Sequence, residues 1–382
     1  MNNRCLLYFM FFLFLASCIE SYSPNIHGEE VDTYVVSGEV TSQEGYQMVT
    51  ISKAAPIDKP INIPVTGGVL SIEDDQGHVF NMEEFSSGQY RVWIDKQFLH
   101  PGTSYRLHIL LSNGEEILSD YDMMHYCPEM DSVYYKRMNM ISPVTGENVE
   151  ALQFYADFHG SESDSRYYRW SAVETWEHHS PWPIQYFYDG KINVVEPWDY
   201  SLSVCWITES FPQVYTLSTS NMVSNDYIML PINYVDNTTT RLYFGYSVLI
   251  TQHALSEPAY NYWEQLRINN DHNGGLYEKQ PLPVTGNLKN LTDPGKKVLG
   301  FFEASGTSEK RIFIDEIRDM GIYYDAICSP YGLGRKGWRE YTKGDYPVYL
   351  VMYNNIRLIV DSHCVDCRYF GGVLEKPEFW PK

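Results

Sequence analysis

The sequence has no GxSxG elbow, no Walker loop, no GxGxxG between a strand and a helix, and no HExxH. These motifs place a nucleophile, a phosphate cradle, a dinucleotide turn or a zinc pair. Their absence leaves the common hydrolase, nucleotide-binding and zinc-protease readings without a catalytic constellation. Positive charge is also scarce: 28 Lys and Arg stand against 49 Asp and Glu, a formal net charge of −21. So acidic a body repels phosphate backbones and anionic headgroups, which argues against nucleic acid and against adhesion to anionic lipid. Past the N-terminal segment no stretch approaches the ~20 apolar residues of a membrane-spanning helix. Nor is there an internal repeat of constant period or a low-complexity tract.

The N-terminal segment has Arg4, an almost unbroken apolar run from Cys5 to Ala16, then Ser17 and Cys18. The run is about half the length of a spanning helix, so residues 1–17 read as a signal peptide. Leu15, Ala16, Ser17 and Cys18 resemble a lipobox, the site where bacterial signal peptidases cut before an acylated cysteine. The plainer alternative is an ordinary signal peptide that happens to hold a cysteine. With a lipid on Cys18, each buried acyl methylene contributes roughly 0.8 kcal/mol, and several chains hold the protein to a membrane permanently. Residues 18–30 are polar and aperiodic and read as a tether, leaving the body in water beside the membrane.

From Thr33 the pattern becomes short alternating runs: TYVVSGEV, YQMVTISKA, GVLSIEDD, HVFNMEEF, GQYRVWID, TSYRLHILL and EEILSD. Turn residues separate them, as in Asp75-Gln76-Gly77, Ser87-Gly88 and His100-Pro101-Gly102. This spacing predicts a small antiparallel β-sandwich over 31–125, with no helix. Tyr90 and Tyr105 follow turn glycines, where a tyrosine hydroxyl more often anchors a strand end than binds a ligand. The carboxylate pairs Asp74-Asp75, Glu83-Glu84 and Glu115-Glu116 lie beside turns and read as solvated charges. The pattern breaks near residue 125. Residues 126–382 read as a larger antiparallel β domain, sheet or barrel, with an amphipathic helix inserted at about 257–270. There Ser256 caps, Glu257 and Pro258 suit the first turn, and Ala259, Tyr262, Trp263 and Leu266 form one apolar stripe. Asn273, Gly274 and Gly275 stop it.

Beyond Cys18 the cysteines are Cys127, Cys205, Cys328, Cys364 and Cys367. An odd number in an oxidising compartment leaves at least one thiol free or paired between chains. Cys364-Val365-Asp366-Cys367 has half the spacing of a zinc site, but nothing completes it and His363 alone is insufficient. Disulfide formation among Cys328, Cys364 and Cys367, with Cys205 as a further candidate, is the simpler use, and the pairing stays open. Glu174, Glu177, His178 and His179 form the densest titratable group. Adjacent histidines on a strand point to opposite faces, so Glu174 and His178 read as strand-end surface residues and not as a metal or acid–base site. The sequence therefore assigns no catalytic residue, no metal and no cofactor. With 32 Tyr, 17 Phe and 9 Trp, the chain suits half-buried β-sheet. If a ligand is held, Trp170, Trp176, Trp182 and Trp198 are the candidate contacts, since flat rigid rings give contact area at low entropic cost; buried tryptophans are the commoner case.

SCIESYSPNI, YVVSGEVT, the DDQG turn and PEMDSVYY, followed by YYRWSAVETWE, Cys205-Trp206, LSEPAYNYWEQL, NGGLYEKQP, GNLKNLTDP, VLGFFEASGTSEKRIFI and CVDCRYFGGVLEKPEFW, resemble the Bacteroidota outer-membrane or surface lipoproteins grouped as domain-of-unknown-function family 4249. The resemblance implies an immunoglobulin-like or transthyretin-like first domain. It also implies a non-enzymatic role, ligand-binding or accessory, beside a TonB-dependent outer-membrane receptor at the cell surface. It carries over no catalytic residue. The competing expectations are a surface enzyme acting on glycan or peptide, and a structural envelope lipoprotein.

Overall fold

The computed structural model describes residues 32–55, 61–143, 145–271, 284–315, 317, 319–322 and 328–381. The signal peptide, the tether and Cys18 lie outside them. Among the described residues the fold is mainly β, with several antiparallel sheets and a single α-helix, and no sheet closes into a barrel.

The strand Gly45–Lys53 shows how the pattern works: Gln47, Val49 and Ile51 are buried while Tyr46, Met48 and Thr50 face out. Period-two alternation gives one wet and one dry face. The dry face of Tyr34–Thr41, Gly45–Lys53 and Gln89–Ile94 packs on a six-stranded sheet that includes Val69–Asp74, Ser104–Leu110 and Glu116–Ser119. The shared core includes Val36, Ile51, Ile72, Leu107 and Ile109. Tyr90 Oη donates to the Val65 carbonyl at 3.2 Å and accepts from Gly68 N at 3.1 Å, and Tyr105 Oη donates to the Phe98 carbonyl. Both rings thus fix loops at the sandwich rim. One turn of 3₁₀-helix, Lys96–Phe98, occurs where no helix was expected. Asp74 corrects the reading of the turn carboxylates as solvated: it is 3 % exposed and accepts from Gln76 N, His78 N and His78 Nδ1. It closes its turn from inside.

This sandwich is completed from far along the chain. Leu288–Asn290 joins the six-stranded sheet, and Val298–Ser305 pairs in parallel with Tyr34–Thr41. The strand Val298–Ile314 then continues, its second half pairing antiparallel with Tyr246–Ala254. One ten-stranded sheet therefore runs from Glu83–Ser86 through this strand to Tyr246–Ala254, Tyr167–His179 and Val204–Ser210. Gly306 sits at the crossover, where a Cβ would lie 2.1 Å from the His125 carbonyl oxygen. Only glycine allows the connecting backbone to pass so close.

On the far half of the large sheet lies a three-stranded sheet, Met130–Ile141, Asn148–Gly160 and Asn225–Asp236, over a second core built on Phe154, Phe158, Tyr168, Trp170 and Tyr246. A four-stranded sheet, Ile184–Tyr188, Ile192–Asp199, Val348–Tyr353 and Ile356–Val360, forms a separate lobe. Disulfides staple it: Cys328 joins Cys364 inside the lobe, and Cys205 on the large sheet joins Cys367. Among the described residues Cys127 is the free thiol, held at Gln252, and burial pushes it up to about 12, which disfavours the reactive thiolate.

The helix Glu257–Asp271 lies on the outer face of the large sheet. Ser256 Oγ accepts from Ala259 N at 3.2 Å, and Ala259 is fully buried against Leu255 and Phe301. Ser256 Oγ also donates to Asp122 Oδ1 at 2.5 Å, while Asp122 Oδ2 accepts from Ala304 N at 2.8 Å. One buried carboxylate thus ties helix, long strand and first sandwich together. Burial pushes Asp122 from 3.8 up to about 6. Its folded pKa lies above its unfolded one, so its contribution is present below about pH 4 and is lost as pH rises through about 6, roughly 3 kcal/mol in all. Relative to wild type, Asp122→Asn should gain about that much unfolding free energy between about pH 4 and about pH 8, measured in urea. A pH-independent difference would show that the buried carboxyl does not titrate.

Candidate functional site

Strand alternation places Tyr168, Trp170, Ala172, Glu174 and Trp176 on one face, the face covered by the three-stranded sheet. A carboxylate is thereby planted in an apolar row. This corrects the reading of Glu174 as a strand-end surface residue: it lies within the strand and is 3 % exposed. An isolated buried carboxylate would cost several kcal/mol, and here two partners meet it. Arg241 Nη1 donates to Glu174 Oε1 at 2.5 Å and Tyr246 Oη donates to Oε2 at 2.9 Å. Burial still raises Glu174 above its ordinary value, with Glu209 adding to the rise. Glu209 is the residue directly opposite Glu174 on the neighbouring strand.

Glu174 and Arg241 form part of the lining of a cavity of about 480 Å³ between the large sheet and the three-stranded sheet. One side carries Glu209, Phe211 and Gln213; the other carries Asn233 and Asp236, with Tyr215 between. Tyr215 Oη donates to Asn233 Oδ1 at 3.4 Å, and burial pushes its phenol up to about 12. Asn233 is 6 % exposed, and its Nδ2 has no hydrogen-bond partner. A second cavity, about 710 Å³, continues past Pro212, Gln213 and Tyr215, which line both, to Tyr227, Leu230 and Arg267. Together they make one trough along the short strand Tyr215–Ser218. Each volume falls within the roughly 300–1,000 Å³ typical of small-molecule sites.

The tryptophans named from sequence do not converge. Trp170 is 1 % exposed and gives its indole N–H to Gln252 Oε1 at 3.1 Å; it backs the second cavity as a core side chain. Trp176 is 8 % exposed within the same core. Trp182 packs in the C-terminal lobe and donates to the Cys328 carbonyl at 3.2 Å. Trp198 is 49 % exposed on the strand Ile192–Asp199, away from the trough. The aromatic lining of the first cavity is instead Phe211, Tyr215 and Tyr234, which carried no motif.

The histidines also separate. His178 packs on Phe370, and burial lowers it to about 4; His179 stacks on Phe244 and hydrogen-bonds Glu177 at 2.6 Å. Among the described residues, ligand atoms close enough to share a metal occur in two groups. In the first, Cys328, His363 and Cys364, the thiols are joined as a disulfide. In the second, Glu39, His253 and Glu303, Arg169 already stands as the cation. Its Nη2 reaches Glu303 at 2.6 Å and Glu39 at 2.9 Å, and its guanidinium lies over Trp263 at 4.6 Å. Trp263 Nε1 donates to the other Glu303 oxygen. This cluster clamps the helix to the sheet. Burial pushes Glu39 up to about 6. Yet solvent reaches 41 % of its side chain and screens it, so Glu303, at 3 %, is the carboxylate that depends on Arg169.

No curated protein matches the chain. The pattern of one family matches residues 19–311, from the residue after Cys18 to within the long shared strand. The four-stranded lobe's strands Val348–Tyr353 and Ile356–Val360, and Cys328, Cys364 and Cys367, lie beyond that match. The match spans the first sandwich core, most of the second core and every residue singled out in the trough, and on it the chain belongs to the family described as domain of unknown function DUF4249.

Proposed function

We propose that this protein is a non-enzymatic lipoprotein, held by a lipid on Cys18 at the outer membrane and exposed at the cell surface, that binds ligand for a TonB-dependent uptake receptor. The observation that carries the reading is the two-part trough, a formed recess where two β-sheets meet. The run ending Leu15-Ala16-Ser17-Cys18 supports the anchor, and the acidic surface suits a body kept off anionic lipid.

The test is affinity capture of the full lipidated protein from detergent-solubilised native membranes, followed by mass spectrometry. Stoichiometric recovery of a TonB-dependent receptor supports the reading; recovery of the protein alone overturns the partnership. In the same cells Cys18→Ala should move the protein from the membrane to the soluble fraction, because the acyl chains supply the binding energy.

A second reading, a surface hydrolase acting on glycan, draws on Glu174 and Glu209, carboxylates in register on adjacent strands. Arg241 and Tyr246 occupy both oxygens of Glu174, which weighs against an acid–base role. Turnover of a glycan panel, abolished by Glu209→Gln, would favour it.

A further inference from the structure

We infer that the trough takes a neutral oligosaccharide, with one sugar ring against Asn233, Tyr215 and Glu209 and the chain continuing past Gln213 toward Tyr227. This deepens the ligand-binding reading above and rests on it. Three features of the lining select the chemistry. First, the cation in the first cavity, Arg241, has Nη1 committed to Glu174, while Glu209 and Asp236 add negative charge. An anionic ligand would meet repulsion with no unengaged counter-charge. Second, the carboxylates left to face a cationic ligand lie on the open side: Glu209 is exposed and Asp236 half-buried. Exposed ion pairs contribute little, so charge alone would not hold a cation.

Third, the first cavity is lined by both a donor and acceptors. Asn233 Nδ2 is a buried donor without an acceptor, while Glu209 and Asp236 present acceptors. A buried unpaired donor is unfavourable, and a ligand oxygen that accepts from it removes that cost. A sugar hydroxyl both donates and accepts, so adjacent hydroxyls on one ring can serve the amide and a carboxylate together. Tyr215 sits at the junction of the cavities and offers a flat face to the C–H side of a ring. Because the cavities meet there, a chain of rings engages both, whereas a single ring fills only one.

The experiment uses the full lipidated protein in detergent, titrated with neutral gluco-, manno-, xylo- and galacto-hexasaccharides, with uronic-acid hexasaccharides and a basic peptide as the counter-panel. The expected result is binding of at least one neutral hexasaccharide, at least tenfold tighter than its monosaccharide. Asn233→Leu should weaken that binding tenfold or more. Tyr227→Ala should weaken the hexasaccharide and leave the monosaccharide unchanged, and Trp198→Ala should change neither. Circular dichroism with thermal melting identifies any variant that fails to fold, and Glu209→Gln, at an exposed position, gives an independent loss of binding. Failure of the wild type to bind any neutral hexasaccharide, tighter binding of the counter-panel, or full affinity in a folded Asn233→Leu variant would overturn the inference. If the receptor is captured but no neutral glycan binds, the ligand class is wrong and the uptake reading stands. If glycan binds and no receptor is captured, the reverse holds.

Discussion

Replacing Arg169 with methionine should lower the unfolding free energy by about 3–5 kcal/mol at neutral pH, the range for removing one partner of a buried pair. The reason is what stays behind. Glu303 is nearly inaccessible, and removing the guanidinium takes away its ion-pair partner and leaves it the Trp263 indole N–H. Arg169→Met combined with Glu303→Leu should recover most of the loss, since a buried ion pair replaced by apolar groups is often near neutral. Urea unfolding of the two variants at neutral pH measures this. A loss below about 1 kcal/mol for the single variant would mean that the cluster behaves as a surface pair and does not clamp the helix.

Removing the Cys205–Cys367 disulfide by substituting both residues with alanine should cost roughly 5 kcal/mol. The bond closes a loop with a sequence separation of 162 residues, and the cost follows from the unfolded-state entropy released when so long a loop opens. The Cys328–Cys364 bond, with a separation of 36, should contribute less, roughly 4 kcal/mol on the same account. The two also differ in what they hold. Cys205 is on the edge strand of the ten-stranded sheet, so its loss removes the covalent tie between the C-terminal lobe and the body. Cys328–Cys364 lies within the lobe's own core. Denaturant unfolding of each double variant, with tryptophan emission and proteolytic nicking of the C-terminal segment as separate readouts, distinguishes the roles. Equal effects, or nicking confined to the Cys328–Cys364 variant, would contradict this division.

Much of the architecture was legible because it is encoded locally. Alternation over Tyr34–Thr41 and Gly45–Lys53 specifies which side chains go inside, since a strand buries one face whatever it packs against. The helix was legible for the same reason: its cap, its first-turn proline and its apolar stripe lie within one segment, and it runs Glu257–Asp271. The family resemblance was likewise carried by contiguous motifs, most of which fall inside the match over 19–311, while CVDCRYFGGVLEKPEFW lies beyond it.

Long-range pairing was not legible. Nothing near Tyr34 announces that Val298–Ser305 will lie beside it in parallel, because that register depends on two apolar faces finding one another across most of the chain. The position of Glu174 was hidden for a related reason. Alternation placed it in a row with Trp170 and Trp176, but only the tertiary structure brings Arg241 and Tyr246 to that row and makes burial of the carboxylate tolerable. The trough exists only where the three-stranded sheet meets the larger one, between strands distant in sequence. The sequence by itself determined the strands of the first sandwich, the helix, the acidic balance and the family, while the strands of the four-stranded lobe went unread. Tertiary packing decided the strand order, the disulfide partners and the site, because each needs surfaces brought together by collapse of a core and not by neighbouring residues.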